Sequence, residues 1–169
     1  MKAKVSLIMG STSDYPVMED AAKFLDEMEI PFSINALSAH RTPELVEVFA
    51  RNAYGEGIRV IIAAAGMSAH LPGVIAAMTP VPVIGVPINA SSLDGMDALL
   101  SIIQMPPGIP VATVGINAAR NAAILAVQIL ATSDETLMNK LTIFKEELKS
   151  KISKANDELK AHHFKYRVG

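Results

Sequence analysis

Five short runs of almost unbroken apolar residues, separated by segments of helical pattern, constrain this chain more than any other feature. They are Lys4–Met9, Pro31–Ala36, Ile58–Ala65, Val81–Val86 and Val111–Gly115. A strand that is apolar at nearly every position is buried on both faces. Sheets covered on both faces are parallel sheets joined by helical crossovers. The intervening segments suit those helices. The first follows Gly10–Asp14 and runs to about Met28, with Asp14 as N-cap and Pro16 in the first turn. The second opens at Pro43, carries Leu45, Val46, Val48 and Phe49, and ends at Gly55 and Gly57. A short helix ends near Met78, another covers Gly95–Gln104, and an alanine-rich one runs to Leu130.

The expected architecture is an α/β protein: a three-layer α/β/α sandwich around a flavodoxin-like parallel five-stranded sheet. Right-handed crossovers favour the order 2-1-3-4-5. The chain past residue 131 changes character. Thr132–Glu135 fits a capping box. Leu137, Leu141, Phe144, Leu148, Ile152, Ala155 and Leu159 then recur at spacings of three and four, with six acids and six lysines from Asp134 to Lys160 on the other face. This predicts a C-terminal amphipathic helix of ~40 Å at 1.5 Å per residue. The predicted organisation is an α/β domain over 1–131, then a helix and tail over 132–169 that pack on a neighbouring subunit.

Composition bears on that last point. Of the 169 residues, 50% are hydrophobic and only 19% charged, against about 25% charged in an average domain. From Val60 to Leu130 the only charges are Asp94, Asp97 and Arg120. Prolines interrupt this stretch before it reaches the ~18 apolar residues that span a bilayer, so a homo-oligomer with large interfaces is expected rather than a membrane protein. A net charge of −2 argues against non-specific nucleic-acid binding. There is no cysteine, hence no disulfide, thiol nucleophile or zinc–thiolate site. The first residues enter a strand without a basic, apolar leader, which predicts a cytoplasmic protein.

In a doubly wound sheet, ligands bind beyond the C-terminal ends of the strands. The polar residues cluster in those places: Ser11, Ser13 and Asp14 after the first run, Ser38, His40 and Arg41 after the second, His70 after the third. Gly10–Asp14 lacks the lysine of a P-loop and the spacing of a dinucleotide fingerprint. Its hydroxyls and backbone N–H groups suit a phosphate monoester, or form a plain turn and cap. Asp14 caps the helix, meets sugar hydroxyls, or does both. Arg41 either takes a phosphate bidentately or is a surface arginine. His40 and His70 suit proton transfer near neutral pH, or serve structure. No metal-ligand spacing and no Gly-x-Ser-x-Gly elbow is present. His162 and His163 belong to the tail and are expected in solvent.

Together these loops are specific. Met9–Asp14 (MGSTSD), Ser38–Pro43 (SAHRTP), Ala69–Gly73 (AHLPG) and Gln104–Pro110 (QMPPGIP) resemble the N5-carboxyaminoimidazole ribonucleotide mutases, the catalytic chain of phosphoribosylaminoimidazole carboxylase. The resemblance runs from about residue 4 to 131. It implies a flavodoxin-like sandwich, homo-octamers with sites at subunit boundaries, a phosphorylated imidazole ribonucleotide as substrate, and no cofactor or metal. It also implies roles. Ser11 and Arg41 hold the 5′-phosphate with Ser13 and Ser38 as helpers, Asp14 meets the ribose, His40 is the general acid/base, and His70 lines the carboxylate end. Arg41 after His40, and His70 itself, resemble the mutase class. Met67-Ser68 stands where many mutases have Gly-Ala or Gly-Gly, and Ser68 resembles the class that carboxylates aminoimidazole ribonucleotide directly with CO2. That carboxylase is the alternative within the family. Outside it stands a non-catalytic flavodoxin-like nucleotide-binding module. Such a module fits poorly, because a receiver needs an acidic cluster and a flavin site needs aromatics, here 5% of residues.

Overall fold

A computed structural model describes residues 2–168; Met1 and Gly169, the outer ends of the two predicted segments, lie outside the described residues. The strands are β1 (Val5–Met9), β2 (Phe32–Ala36), β3 (Val60–Gly66), β4 (Val83–Ile88) and β5 (Ala112–Thr113). The helices are α1 (Tyr15–Glu27), α2 (Pro43–Glu56), α3 (Leu71–Met78), α4 (Met96–Ile103), α5 (Ala119–Ala131) and α6 (Glu135–Lys160). All strand pairs are parallel and the order is β2-β1-β3-β4-β5, as expected.

Alternate side chains of each central strand feed two cores. Val5, Leu7 and Met9 of β1, with Val60, Ile62 and Ala64 of β3, pack under α1 and α5. Ile8 of β1, with Ile61, Ala63 and Ala65 of β3, packs under α2, α3 and α4. Small residues set the layer spacing. A Cβ on Gly85 in mid-β4 would lie 2.4 Å from Ile102 Cγ2 of α4 and 3.0 Å from Val111 Cγ1. Glycine there lets α4 lie close against the sheet. The one buried serine of the sheet, Ser6, meets Ser33 Oγ on β2 at 2.9 Å, so its hydroxyl is not left unpaired.

Several local expectations are corrected. β5 keeps only two of the five expected residues. Pro110 has no N–H to give to a ladder, and Asn117, at φ 56°, turns the chain away soon after. β4 starts two residues late: Pro82 has no N–H to give the ladder and takes part only through its carbonyl, which accepts from Ile61 N at 3.0 Å. Gly57, at φ 104°, caps α2 in the left-handed region, while Gly55 stays inside that helix. Asp14 makes no side-chain cap bond to α1. Instead Ser11 Oγ accepts from Ser13 N at 3.3 Å and opens a single 3₁₀ turn, Thr12–Asp14. The capping box also fails. Asp134 caps α6 by accepting from Leu137 N at 3.1 Å, and the Thr132 hydroxyl donates to Ile129 O within the last turn of α5.

The long helix forms as expected, at 26 residues. Only its first three turns pack on its own domain. Leu141 is buried, and Phe144 meets Phe24 of α1 edge-to-face at 5.2 Å. The apolar stripe continues beyond the domain with Leu148, Ile152 and Leu159 exposed. Leu93, Met96, Leu100 and Ile103, in the charge-poor region, are also exposed. Among the described residues, no helix is long and apolar enough to cross a membrane.

Candidate active site

The strand order reverses direction at β1, and a cavity of about 430 Å³ opens there, over the C-terminal ends of β1, β2 and β3. All seven residues singled out from the sequence line it: Ser11, Ser13, Asp14, Ser38, His40, Arg41 and His70. They come from three loops that the parallel sheet carries to one edge.

Each loop is braced by its own chain. Leu37 N donates to Met9 O at 2.9 Å, which ties the end of β2 to the end of β1. Thr42 then closes the second loop. Its Oγ1 accepts from Ser38 N at 3.0 Å and donates to Ser38 O at 3.2 Å. Ser38 Oγ accepts from Arg41 N at 3.2 Å. Ser38 therefore shapes this loop as well as facing the cavity. Thr42 escaped the sequence reading, although a hydroxyl four residues after another polar side chain in a short loop is a usable signal. In the third loop, Ala69 N donates to Met67 O at 2.9 Å and His70 N to Ser68 O at 2.7 Å, just before α3 begins. Gly66 sits where a Cβ would meet Ala90 Cβ at 3.2 Å and Ile88 O at 3.3 Å. Its lack of a side chain lets the loop after β4 close one wall with Ala90, a residue absent from the sequence expectations.

The two imidazoles meet. His40 Nε2 lies 2.7 Å from His70 Nδ1, with the rings edge-to-face at 4.9 Å. One proton lies between these nitrogens, so the tautomer of one ring fixes that of the other. If His70 Nδ1 donates, His40 carries its own proton on Nδ1. Asp14 is 9% exposed, and burial pushes its carboxyl above the ordinary value, opposed by hydrogen bonds from Ser13 Oγ and the Ser11 backbone. The Arg41 side chain is exposed and makes no hydrogen bond or ion pair among the described residues. Arg41 lines the same cavity as Asp14, and no ion pair joins the two. No cluster of three or more metal-ligating side chains occurs among the described residues. His162 and His163 are exposed, as expected, beside a smaller hollow in the tail.

Fold and site define a class: a flavodoxin-like α/β protein with a hydroxyl-, guanidinium- and imidazole-lined cavity at its topological switch point. The chain belongs to the AIR carboxylase family, which it matches over residues 4–151. It is 56% identical over 146 residues to the N5-carboxyaminoimidazole ribonucleotide mutase of Pyrococcus abyssi, covering 86% of this chain and 84% of that one. It is 52% identical over 155 residues to the phosphoribosylaminoimidazole carboxylase of Schizosaccharomyces pombe, covering 92% of this chain but only 28% of that longer protein. The crystal structure of Treponema denticola PurE superposes with a TM-score of 0.84 at 30% identity, covering 92% of this chain and 98% of the other.

Proposed function

We infer that this chain is an N5-carboxyaminoimidazole ribonucleotide mutase, moving a carboxylate from the exocyclic nitrogen to C4 of the imidazole in purine biosynthesis. The observation that carries the reading is the His40–His70 contact at 2.7 Å inside the same cavity as Ser11, Asp14 and Arg41. The 56% identity to a protein of that name supports it. Ser11 and Arg41 hold the 5′-phosphate, with Ser13 and Ser38 beside them, and Asp14 takes the ribose hydroxyls. His40 gives a proton to the carbamate nitrogen as its C–N bond breaks and CO2 leaves. The ring carbon C4 attacks that CO2. His40 then removes the C4 proton and aromaticity returns. One imidazole acts as acid and then base, and His70 sets its tautomer and lines the carboxylate end. Protons and electrons balance within the substrate and His40, so the reaction calls for no cofactor.

The test is a direct comparison of substrates. A mutase turns over the N5-carbamate far faster than aminoimidazole ribonucleotide plus bicarbonate. Ser68 at the cavity edge favours the opposite preference, and faster use of the second pair would make this chain a direct carboxylase.

The working form is a homo-oligomer, an octamer, in the cytoplasm, with the site at subunit boundaries. The exposed apolar face of α4 and the exposed Leu148, Ile152 and Leu159 of α6 support the association of subunits. Residues 132–169 thus act as a segment that docks on a neighbour. Truncation before Leu148 keeps Leu141 and Phe144 in place. It is expected to reduce the sedimentation coefficient while leaving the subunit's circular dichroism native-like.

A further inference from the structure

The loop after β3 holds a residue in a costly conformation. Met67 has φ 55°, a left-handed backbone that residues other than glycine rarely adopt. The turn itself has a clear purpose. Hydrogen bonds from Ala69 N to Met67 O and from His70 N to Ser68 O bring His70 to 2.7 Å from His40. A glycine makes such a turn without strain. The turn therefore does not account for a methionine there, and its side chain must be explained separately.

Met67 lines the cavity and is 54% exposed within its own subunit, so it stands on the side where that subunit leaves the cavity open. The other apolar lining is short or sunken. Ala39, Ala65 and Ala90 offer one methyl each, and Leu71 is 3% exposed beneath the floor. Among the described residues that line the cavity, only Met67 supplies a long, flexible apolar arm on the open side.

We propose that Met67 is a positioning residue that gates carboxyl transfer, its thioether arm closing the cavity mouth so that CO2 stays against the imidazole. This rests on the mutase reading above. When the carbamate C–N bond breaks, its electron pair stays on nitrogen, which takes the proton from His40. The products held in the cavity are the free amine and neutral CO2. Ser11, Arg41 and Asp14 can hold the nucleotide by charge and hydrogen bonds, but no charge holds CO2. Only a wall that excludes water and slows escape keeps it in place until C4 bonds to it and returns a proton to His40. A methionine in a backbone suited to glycine supplies that wall.

The experiment uses the full chain as wild type, Met67→Gly, Met67→Ala and Met67→Leu. Each converts unlabelled N5-carbamate in a buffer of heavy-carbon bicarbonate, with carbonic anhydrase to keep CO2 equilibrated. Mass spectrometry reads the label in the C4 carboxylate at early conversion. Wild type is expected to give almost unlabelled product. Met67→Gly and Met67→Ala are expected to raise the label by roughly fivefold or more, with released aminoimidazole ribonucleotide as a second product. Met67→Leu stays near wild type. Met67→Gly relieves the backbone strain, so its melting temperature is expected to equal or exceed wild type, and loss of folding does not obscure the result. Unchanged label in Met67→Gly, with wild type converting the carbamate normally, overturns the proposal and leaves the mutase reading intact. Failure of wild type to convert the carbamate refutes the mutase reading, and the gate with it.

Discussion

Replacing Arg41 with alanine separates binding from folding. The guanidinium has no hydrogen bond or ion pair among the described residues. Its backbone N–H, which braces the loop through Ser38 Oγ at 3.2 Å, survives the substitution. The fold should therefore change by no more than about 0.5 kcal/mol, the range of ordinary surface replacements. The whole effect falls on the ligand. A charge-assisted hydrogen bond contributes about 1.5–3 kcal/mol, which at ~1.4 kcal/mol per decade weakens binding roughly 10- to 150-fold. Calorimetric titration with aminoimidazole ribonucleotide and with its dephosphorylated nucleoside tests the assignment. Wild type should prefer the nucleotide strongly, and Arg41→Ala should lose most of that preference while binding the nucleoside as before. Equal losses for both ligands, or unchanged nucleotide affinity, would refute the reasoning and return Arg41 to the surface.

Three other expectations follow from the geometry. His40→Asn should lower kcat by roughly 10²–10⁴-fold, the usual size of general acid/base catalysis, with nucleotide affinity largely kept; near-normal turnover would remove His40 from the chemistry. Burial raises the Asp14 carboxyl above its ordinary value, so the native state holds that proton more tightly than the unfolded chain. The resulting penalty is present above the native pKa and vanishes as pH falls below the unfolded one. Asp14→Asn should thus raise the melting temperature at neutral pH, with the gain fading on acidification, while nucleotide affinity drops. A gain that grows toward low pH would contradict this. Gly85→Ala places a Cβ 2.4 Å from Ile102 Cγ2 and should cost about 1–3 kcal/mol in denaturant melts, partly recovered by a second change, Ile102→Ala; no cost would mean that α4 shifts freely on the sheet.

Much of this molecule was legible in its residues. The double burial of β1, β3 and β4 is written in continuous apolar runs, because a strand covered by helices on both faces has no solvent side to mark. The loops of the site were legible for a related reason. Parallel strands deliver all their C-terminal loops to one edge, so polar residues after successive runs must converge. Caps were read less well. Thr132 and Asp134 are both competent N-caps, and the choice depended on how far α5 continued before the chain turned. The short β5 depended in the same way on its neighbours, since Val111–Gly115 has strand-like residues but little room between Pro110 and the turn at Asn117.

The sequence by itself determined the alternation of strand and helix, the parallel sheet, the family and the residues that line the site. The strands, the sheet and the site residues follow from side-chain chemistry and spacing, which are local properties, and the family from the resemblance its loop motifs carry. Tertiary structure alone decided three things. It placed His40 and His70, 30 residues apart in the chain, at 2.7 Å. It put Met67 at a positive φ on the cavity mouth. It also left Leu148, Ile152 and Leu159 of α6 exposed on their own subunit. Each is a distance or direction between elements, set by how the crossovers pack on the sheet, and no local pattern of residues encodes such a relation.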